Sequence, residues 1–271
     1  MKVSLLGPRG TFSEKVALEF FGEEDLVYRG DINDIFNDVV SGSSHYGIVP
    51  IENSLEGSIV LTLELFLKLD LMIYGEVVID IRHSLLGLED STLEDIEKVI
   101  SHPHALAQCK GFIGKLGLRT KNCLSTAEAA REVFRGKLRS AAAIAPRRAA
   151  ELYGLKVLKS SVQDENFNQT RFLVIAKNGN TRTGKDKTSI IFTLHDKPGA
   201  LYEVLGAFVK AKINLTKIES RPSRKALGDY VFFVDFEGHL LDARVKRALK
   251  ELESMVSYMK LLGSYPVAKK D

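Results

Sequence analysis

Four segments gather residue types that could do chemistry where strands end. In Gly7 to Ala17 (GPRGTFSEKVA), a Gly-bearing loop joins a strand to a helix, with Thr11 or Ser13 available as N-cap. Free backbone N–H groups and the positive helix end converge at such a junction and suit an anion, although any strand-loop-helix needs the same residues. The spacing fits neither GxGxxG nor GxxxxGK[ST], which argues against a nucleotide cofactor. In Val49 to Ile59 (VPIENSLEGSI), a buried strand delivers Glu52, Asn53 and Ser54 to its carboxyl end, where open α/β sheets bind ligands. An Asn/Ser cap beside a solvated Glu52 is the plainer reading. In Ser101 to Cys109 (SHPHALAQC), Ser101 ends a strand, Pro103 opens a helix, and Gln108 lies at the edge of its apolar face. His102 and His104 lack HExxH spacing and have no nearby Cys/His partners, so a metal is not expected. In Asp164 to Phe172 (DENFNQTRF), the uncharged donors Asn166, Asn168, Gln169 and Thr170 stand beside the single cation Arg171. That set suits carboxylates held in fixed orientation, and a polar hairpin turn is the alternative. None of the four supplies a nucleophilic triad. Their shared chemistry is that of an anionic-ligand cleft.

The elements that must position these residues follow from pattern. A chain of 271 residues predicts about two domains at roughly 150 residues each, and 45% hydrophobic residues supply their cores. Thirty-eight Lys+Arg against 35 Asp+Glu leave +3, without the clustered basic excess that nucleic-acid binding requires. Cys109 and Cys123 are too few for a disulfide framework or a Cys-rich zinc site. No signal-peptide core and no run of about 18 apolar residues is present, so a cytoplasmic protein is expected.

Up to about residue 176, short β-type runs alternate with amphipathic helical ones, an α/β pattern with helices covering a largely parallel sheet. Strands are predicted at Val3 to Leu6, Gly47 to Ile51, Glu76 to Ile81, Lys98 to Ser101, Ala141 to Ala145, Lys156 to Leu158 and Phe172 to Ile175. Helices are predicted at Ser13 to Phe21, at Ser58 to Leu69, and from Pro103 along Leu106, Cys109, Phe112, Ile113 and Leu116. Two more run from the Ser125/Glu128 capping box to Gly136 and from Pro146 to Gly154. Residues 177–187 (KNGNTRTGKDK) contain no aliphatic or aromatic residue and read as a linker. Beyond it, strands at Ser189 to Leu194, Asn214 to Ser220, Asp229 to Phe236 and Tyr258 to Leu262 alternate with helices at Ala200 to Lys210 and Leu241 to Val256. A turn at Asp196 to Gly199 joins the first pair, and the order is βαββαβ.

GPRGTFSE, VPIENSLEGSI, SHPHALAQC, STAEAA, AAIAPRRAAELYGL and NQTRFLVI, in this order, resemble the prephenate dehydratase family. KTSIIFTLHDKPGALYEVLGAF, INLTKIESRP and LGSYP resemble its C-terminal ACT regulatory domain, so the likeness covers essentially the whole chain. The resemblance implies a two-lobed, periplasmic-binding-protein-like catalytic region over 1–180, with lobe one at 1–76 plus 165–180 and lobe two at 77–164. A ferredoxin-like ACT domain would follow at 187–271. It implies decarboxylating dehydration of prephenate to phenylpyruvate, without cofactor or metal, in a form lacking a chorismate mutase segment. Thr170 would be the donor to the leaving oxygen, with Glu52, Asn53, Ser101 and Gln108 catalytic. Thr11, Ser54, Arg171 and Phe172 would line the substrate. His104 stands where many relatives carry Gln and is expected to matter little. Feedback by L-phenylalanine would use Gly199, Ala200, Leu201, Asn214, Leu215, Glu219 and Ser220 between ACT domains of a homodimer or homotetramer. Arogenate dehydratase and a non-catalytic amino-acid sensor are the alternatives.

Overall fold

The computed structural model describes residues 1–195, 197–223 and 230–268. In chain order the elements are β1 (Lys2–Leu6), α1 (Phe12–Phe21), β2 (Asp25–Arg29), α2 (Ile32–Ser41), β3 (Tyr46–Asn53), β4 (Gly57–Ser58), α3 (Val60–Lys68), β5 (Met72–Asp80) and β6 (Ser84–Gly87). Then come β7 (Lys98–Ser101), α4 (Pro103–Gln108), α5 (Lys110–Lys115), β8 (Arg119–Asn122), α6 (Thr126–Arg135), β9 (Ala141–Ala145), α7 (Arg147–Tyr153), β10 (Lys156–Lys159) and β11 (Gln169–Ala176). The C-terminal elements are β12 (Asp186–Leu194), α8 (Ala200–Lys210), β13 (Leu215–Pro222), β14 (Tyr230–Glu237), α9 (Ala243–Glu253) and β15 (Val256–Pro266). Contacts divide the chain into two compact units, one of Met1–Ile35, Ile48–Ile59 and Val78–Phe172, the other of Phe36–Gly47, Val60–Val77 and Leu173–Asp271. Among the described residues no helix is long and apolar enough to cross a membrane.

Three sheets form. The first has the order β2-β1-β3-β11-β5, with the short β4 folded back on β3. The second, β10-β6-β9-β7-β8, is mixed rather than largely parallel, since β7 runs parallel to β8 and β9 while β6 is antiparallel to β9 and β10. Alternation of side chains along a strand explains its two cores. Leu86, Ile100, Ala143 and Ala145 face α6 and α7, whereas Leu85, Val99, Ala142 and Ile144 pack with Leu106, Cys109 and Ile113. The near-all-alanine β9 leaves room for close approach on both faces.

The third sheet, β13-β14-β12-β15, is antiparallel and gives the expected βαββαβ order. Ile190, Phe192, Val234 and Phe236 meet Val204, Ala207 and Phe208 of α8 and Val245, Ala248 and Leu252 of α9. Gly263 sits where the β12–β15 register shifts, at φ +137°, and a Cβ there would lie 2.6 Å from the Ile73 carbonyl oxygen. Only glycine fits such a bulge against a neighbouring backbone.

Several boundaries differ from the sequence expectation. Ser58 belongs to the β3–β4 hairpin, so α3 begins at Val60, and Ile59 and Leu67 are only half-buried. The helix opened by Pro103 breaks at Cys109 (φ −117°, ψ 19°) into α4 and α5, and this leaves Leu116 exposed. Strand β11 starts at Gln169, so Thr170 and Arg171 are strand residues rather than loop residues. The expected linker shortens because Asp186 already pairs with Pro266. The last helix ends at Glu253, and β15 extends to Pro266. Asp196 of the expected turn and Asp229 of the expected strand lie outside the described residues.

Candidate active site

The β3–β4 hairpin and the start of β11 meet through side-chain amides. Asn53 ends β3, and its Oδ1 accepts from the backbone N–H groups of Leu55 (2.9 Å) and Glu56 (3.1 Å). An Asx turn of this kind is what an Asn followed by a tight turn forms. With Oδ1 held by two backbone donors, Nδ2 must face the other way. Its two protons go to Asn168 Oδ1 at 2.7 Å and Thr170 Oγ1 at 2.9 Å, with the Gln169 carbonyl at 3.2 Å sharing one of them. Asn168 Nδ2 donates in turn to Gln108 Oε1 (3.0 Å), and Gln108 Nε2 donates to Glu56 Oε1 (2.9 Å). The hydrogen bonds thus return to Glu56, whose backbone began them. Backbone donors fix one end of this ring and a carboxylate fixes the other, so every amide orientation within it is determined.

Asn168 and Thr170 are buried, and Asn53 and Gln108 are half-buried. Ser54 locks the hairpin to β11, its N–H donating to the Gln169 carbonyl (2.8 Å) and its Oγ accepting the Gln169 N–H (2.9 Å). Beside the ring, Leu55, Ala107, Gln108, Gln163, Asp164, Glu165 and Asn168 line a small cavity. Thr170 Oγ1 accepts from Asn53, and its own proton has no acceptor among the described residues. A hydroxyl so held is a donor aimed by its surroundings.

The structure therefore brings together Asn53, Ser54, Gln108 and Thr170. Glu52 precedes Asn53 on β3, half-buried and in register with Ser58 of β4. Arg171 and the buried Phe172 follow Thr170 on β11. Two expected residues are engaged elsewhere. Ser101 is fully buried, and its hydroxyl donates to the Ile144 carbonyl at 2.5 Å, which braces β7 against β9 instead of presenting a donor to a ligand. Thr11 caps α1 by accepting from Glu14 N–H (3.3 Å) and donates to the Leu6 carbonyl (3.0 Å), so its hydroxyl is spent locally. The anion position at this helix start is filled from within the chain, because the buried Glu14 carboxylate accepts the Gly10 N–H.

Three participants escaped the sequence reading. Glu56 lies within VPIENSLEGSI but has no role in the sequence reading, and His83 lies in no motif. His104, expected to matter little, is exposed and contacts the Glu56 carboxylate through Nδ1. The i+4 spacing of His104 and Gln108 on a helical segment was the available signal, since it puts both on one face.

In the βαββαβ sheet, Gly199, Ala200 and Leu201 line a small pocket with Leu194, Tyr230 and Phe232. Gly199 has φ +84° at the start of α8. Asn214 and Leu215 lie at the other end of the sheet. Leu215 pairs with Phe236, which pairs with Thr188 at the beginning of β12, and Asn214 Nδ2 donates to Glu237 Oε1 (3.3 Å). Glu219 forms an ion pair with Lys217 at 3.2 Å, and exposed Ser220 pairs with Phe232.

The prephenate dehydratase family model matches residues 3–180, and the ACT domain model matches 188–254. The chain belongs to the prephenate dehydratase family. It is 42% identical over 268 residues to a prephenate dehydratase of Methanocaldococcus jannaschii, covering 96% of each protein. A solved prephenate dehydratase of Arthrobacter aurescens in complex with L-Phe has 35% identity and a TM-score of 0.90, over 100% of this chain and 91% of that one. A structure described as GqqA, a novel type of quorum quenching acylases, also reaches a TM-score of 0.90 at 30% identity, over 99% of this chain and 98% of that one. Membership of the family makes the chain a dehydratase enzyme carrying an ACT domain, and the amide ring lies within the segment that its catalytic model covers.

Proposed function

We propose that this dehydratase converts prephenate to phenylpyruvate, with residues 1–180 catalytic and 187–271 regulatory, in the cytoplasm. The bond from the ring to its carboxylate breaks, and its electron pair enters the ring. The ring C–O bond breaks, and the oxygen leaves with a proton as water. The products are carbon dioxide, water and an aromatic ring, so the chain need only orient the dianion and stabilise the departing oxygen.

The observation that carries this reading is the Thr170 hydroxyl, fixed by Asn53 with its proton left to donate. An alcohol is a weak acid. Its contribution is therefore a hydrogen bond to the charge developing on the leaving oxygen, while the proton itself comes from water or from Glu52. Arg171 is suited to a substrate carboxylate. Purified protein should release phenylpyruvate from prephenate without added cofactor. Thr170→Ala should lower kcat about 10²- to 10⁴-fold, and Thr170→Ser should retain most of the rate. Unchanged turnover in Thr170→Ala would remove the assignment. Rates on prephenate and arogenate, measured side by side, separate the two dehydratase readings. Saturable binding of prephenate without carbon dioxide release would favour the sensor.

The ACT domain supports feedback by L-phenylalanine. Gly199–Leu201 and Asn214–Leu215 stand at opposite ends of one sheet, which favours a ligand held between two copies in a homodimer, or in a tetramer built from it. An effector of this kind acts only by binding two states of the oligomer with different affinity.

A further inference from the structure

We propose that His83 is a positioning residue for the dehydration, holding the Gln108 carboxamide, and through it the Asn53–Thr170 pair, in the donating arrangement. The inference deepens the prephenate reading and rests on it.

His83 is 2% exposed and sits just before β6, where its backbone N–H donates to Gln163 Oε1 (3.0 Å). Its ring meets the Phe12 ring edge-on at 5.9 Å, and its Nε2 lies 3.0 Å from Gln108 Oε1. The ring of amides decides which of these two atoms donates. Gln108 Nε2 faces the Glu56 carboxylate, which can only accept when ionised, so the atom facing His83 is the carbonyl oxygen. His83 must therefore carry its proton on Nε2. Its Nδ1 has no hydrogen-bond partner among the described residues, so nothing there competes for the proton. Burial holds the imidazole below its ordinary pKa, outweighing the bond to Gln108 that would raise it, and keeps the ring neutral.

The consequence is geometric. Gln108 Oε1 receives two donors, His83 Nε2 and Asn168 Nδ2, and so cannot rotate toward Glu56. Without His83, one buried lone pair of that oxygen is unsatisfied, and a flipped amide would place an N–H against the Asn168 N–H. Asn168 would then release Asn53, and Thr170 would lose the donor that fixes its hydroxyl.

The test combines a spectrum with kinetics. In the full-length protein labelled with 15N-histidine, the ring signals missing from His83→Gln identify His83. They are expected to show a protonated Nε2 and a bare Nδ1 at neutral pH. His83→Phe keeps a ring but no donor, and should lower kcat about 10- to 100-fold with KM changed less than about 3-fold. His83→Gln restores a donating N–H and should recover kcat to within about 5-fold of wild type. A proton on Nδ1 overturns the inference even if His83→Phe fails to fold. A His83→Phe enzyme with wild-type kcat, or equal losses in the Phe and Gln variants, overturns it as well. Wild-type protein inert toward prephenate, with the expected spectrum intact, would instead sink the functional reading beneath it.

Discussion

The amide ring and the ACT segments differ in completeness. Asn53, Asn168, Thr170 and Gln108 come from three distant stretches of sequence, yet they close a hydrogen-bonded circuit inside one compact unit. Gly199–Leu201 and Asn214–Leu215 are close in sequence, yet β12, β13 and β14 hold them at opposite ends of a sheet, about 20 Å apart over six residues of strand. A site whose parts already satisfy one another can work within a single chain. Parts held that far apart can share one small ligand only across two copies. On this contrast, the proposed turnover would belong to the protomer and the proposed regulation by L-phenylalanine to an assembly of two copies.

The hardest test of the first half is Asn53→Asp. The carboxylate still accepts from Leu55 and Glu56 N–H, so the hairpin persists, but it cannot donate to Asn168 or Thr170. Steady-state kinetics should show kcat reduced about 10²- to 10⁴-fold in a protein with unchanged circular dichroism. Near-normal turnover would mean that the circuit is scaffolding only.

Mixed oligomers test both halves together. Chains carrying Gly199→Val should lose L-phenylalanine binding, and so should chains carrying Asn214→Ala. Refolding the two together should restore one of the two sites in each mixed dimer, read by calorimetry. The same mixing of Thr170→Ala with Gln108→Ala chains should restore no turnover, because every protomer then carries a defect in its own ring. Rescue of turnover, or failure to rescue phenylalanine binding, would break the contrast.

Much of this was legible from local pattern. The Ser125 cap, the Pro146 start and the Gly154 stop follow rules acting within one turn of helix, and the structure follows them. The strands β2, β4, β6 and β8 and the helix α2 are absent from the sequence reading. β8 (RTKN) is exposed throughout and owes its existence to pairing with β7, and the four residues of β6 are too few to show a period. Asn53, Gln108 and Thr170 stand out in the sequence by residue type, and their catalytic roles come from the family resemblance; the structure joins them in one hydrogen-bonded ring. Ser101 and Thr11 satisfied the same criteria, but their hydroxyls bond to Ile144 and Leu6, and a hydroxyl's choice of backbone acceptor is set by packing. His83 and Glu56 act only through side chains brought from elsewhere in the chain, so no local window contains their role.

The buried centre of the ring should also appear in stability. His83 is neutral in the folded protein, with its pKa below 6.5, whereas in the unfolded chain it takes up a proton below that value. Its contribution is complete above pH 6.5 and is lost as pH falls toward the folded pKa. Urea unfolding at pH 7.5 and 5.5 should show wild type losing more stability than His83→Gln across that interval. Equal losses would mean that the imidazole titrates alike in both states.

The smallest effect belongs to the rim. The His104 imidazole meets the Glu56 carboxylate, but their side chains are 64% and 38% exposed, so solvent screens the contact to within about 1 kcal/mol even when the imidazole is protonated. His104→Gln removes the imidazole while Glu56 keeps its bond from Gln108. Turnover should change less than about 5-fold, and the difference should shrink as salt is raised. A loss approaching that of Asn53→Asp would reverse the argument. It would mean that the contact between His104 and Glu56 at the surface governs the circuit, and that the buried amides only transmit it.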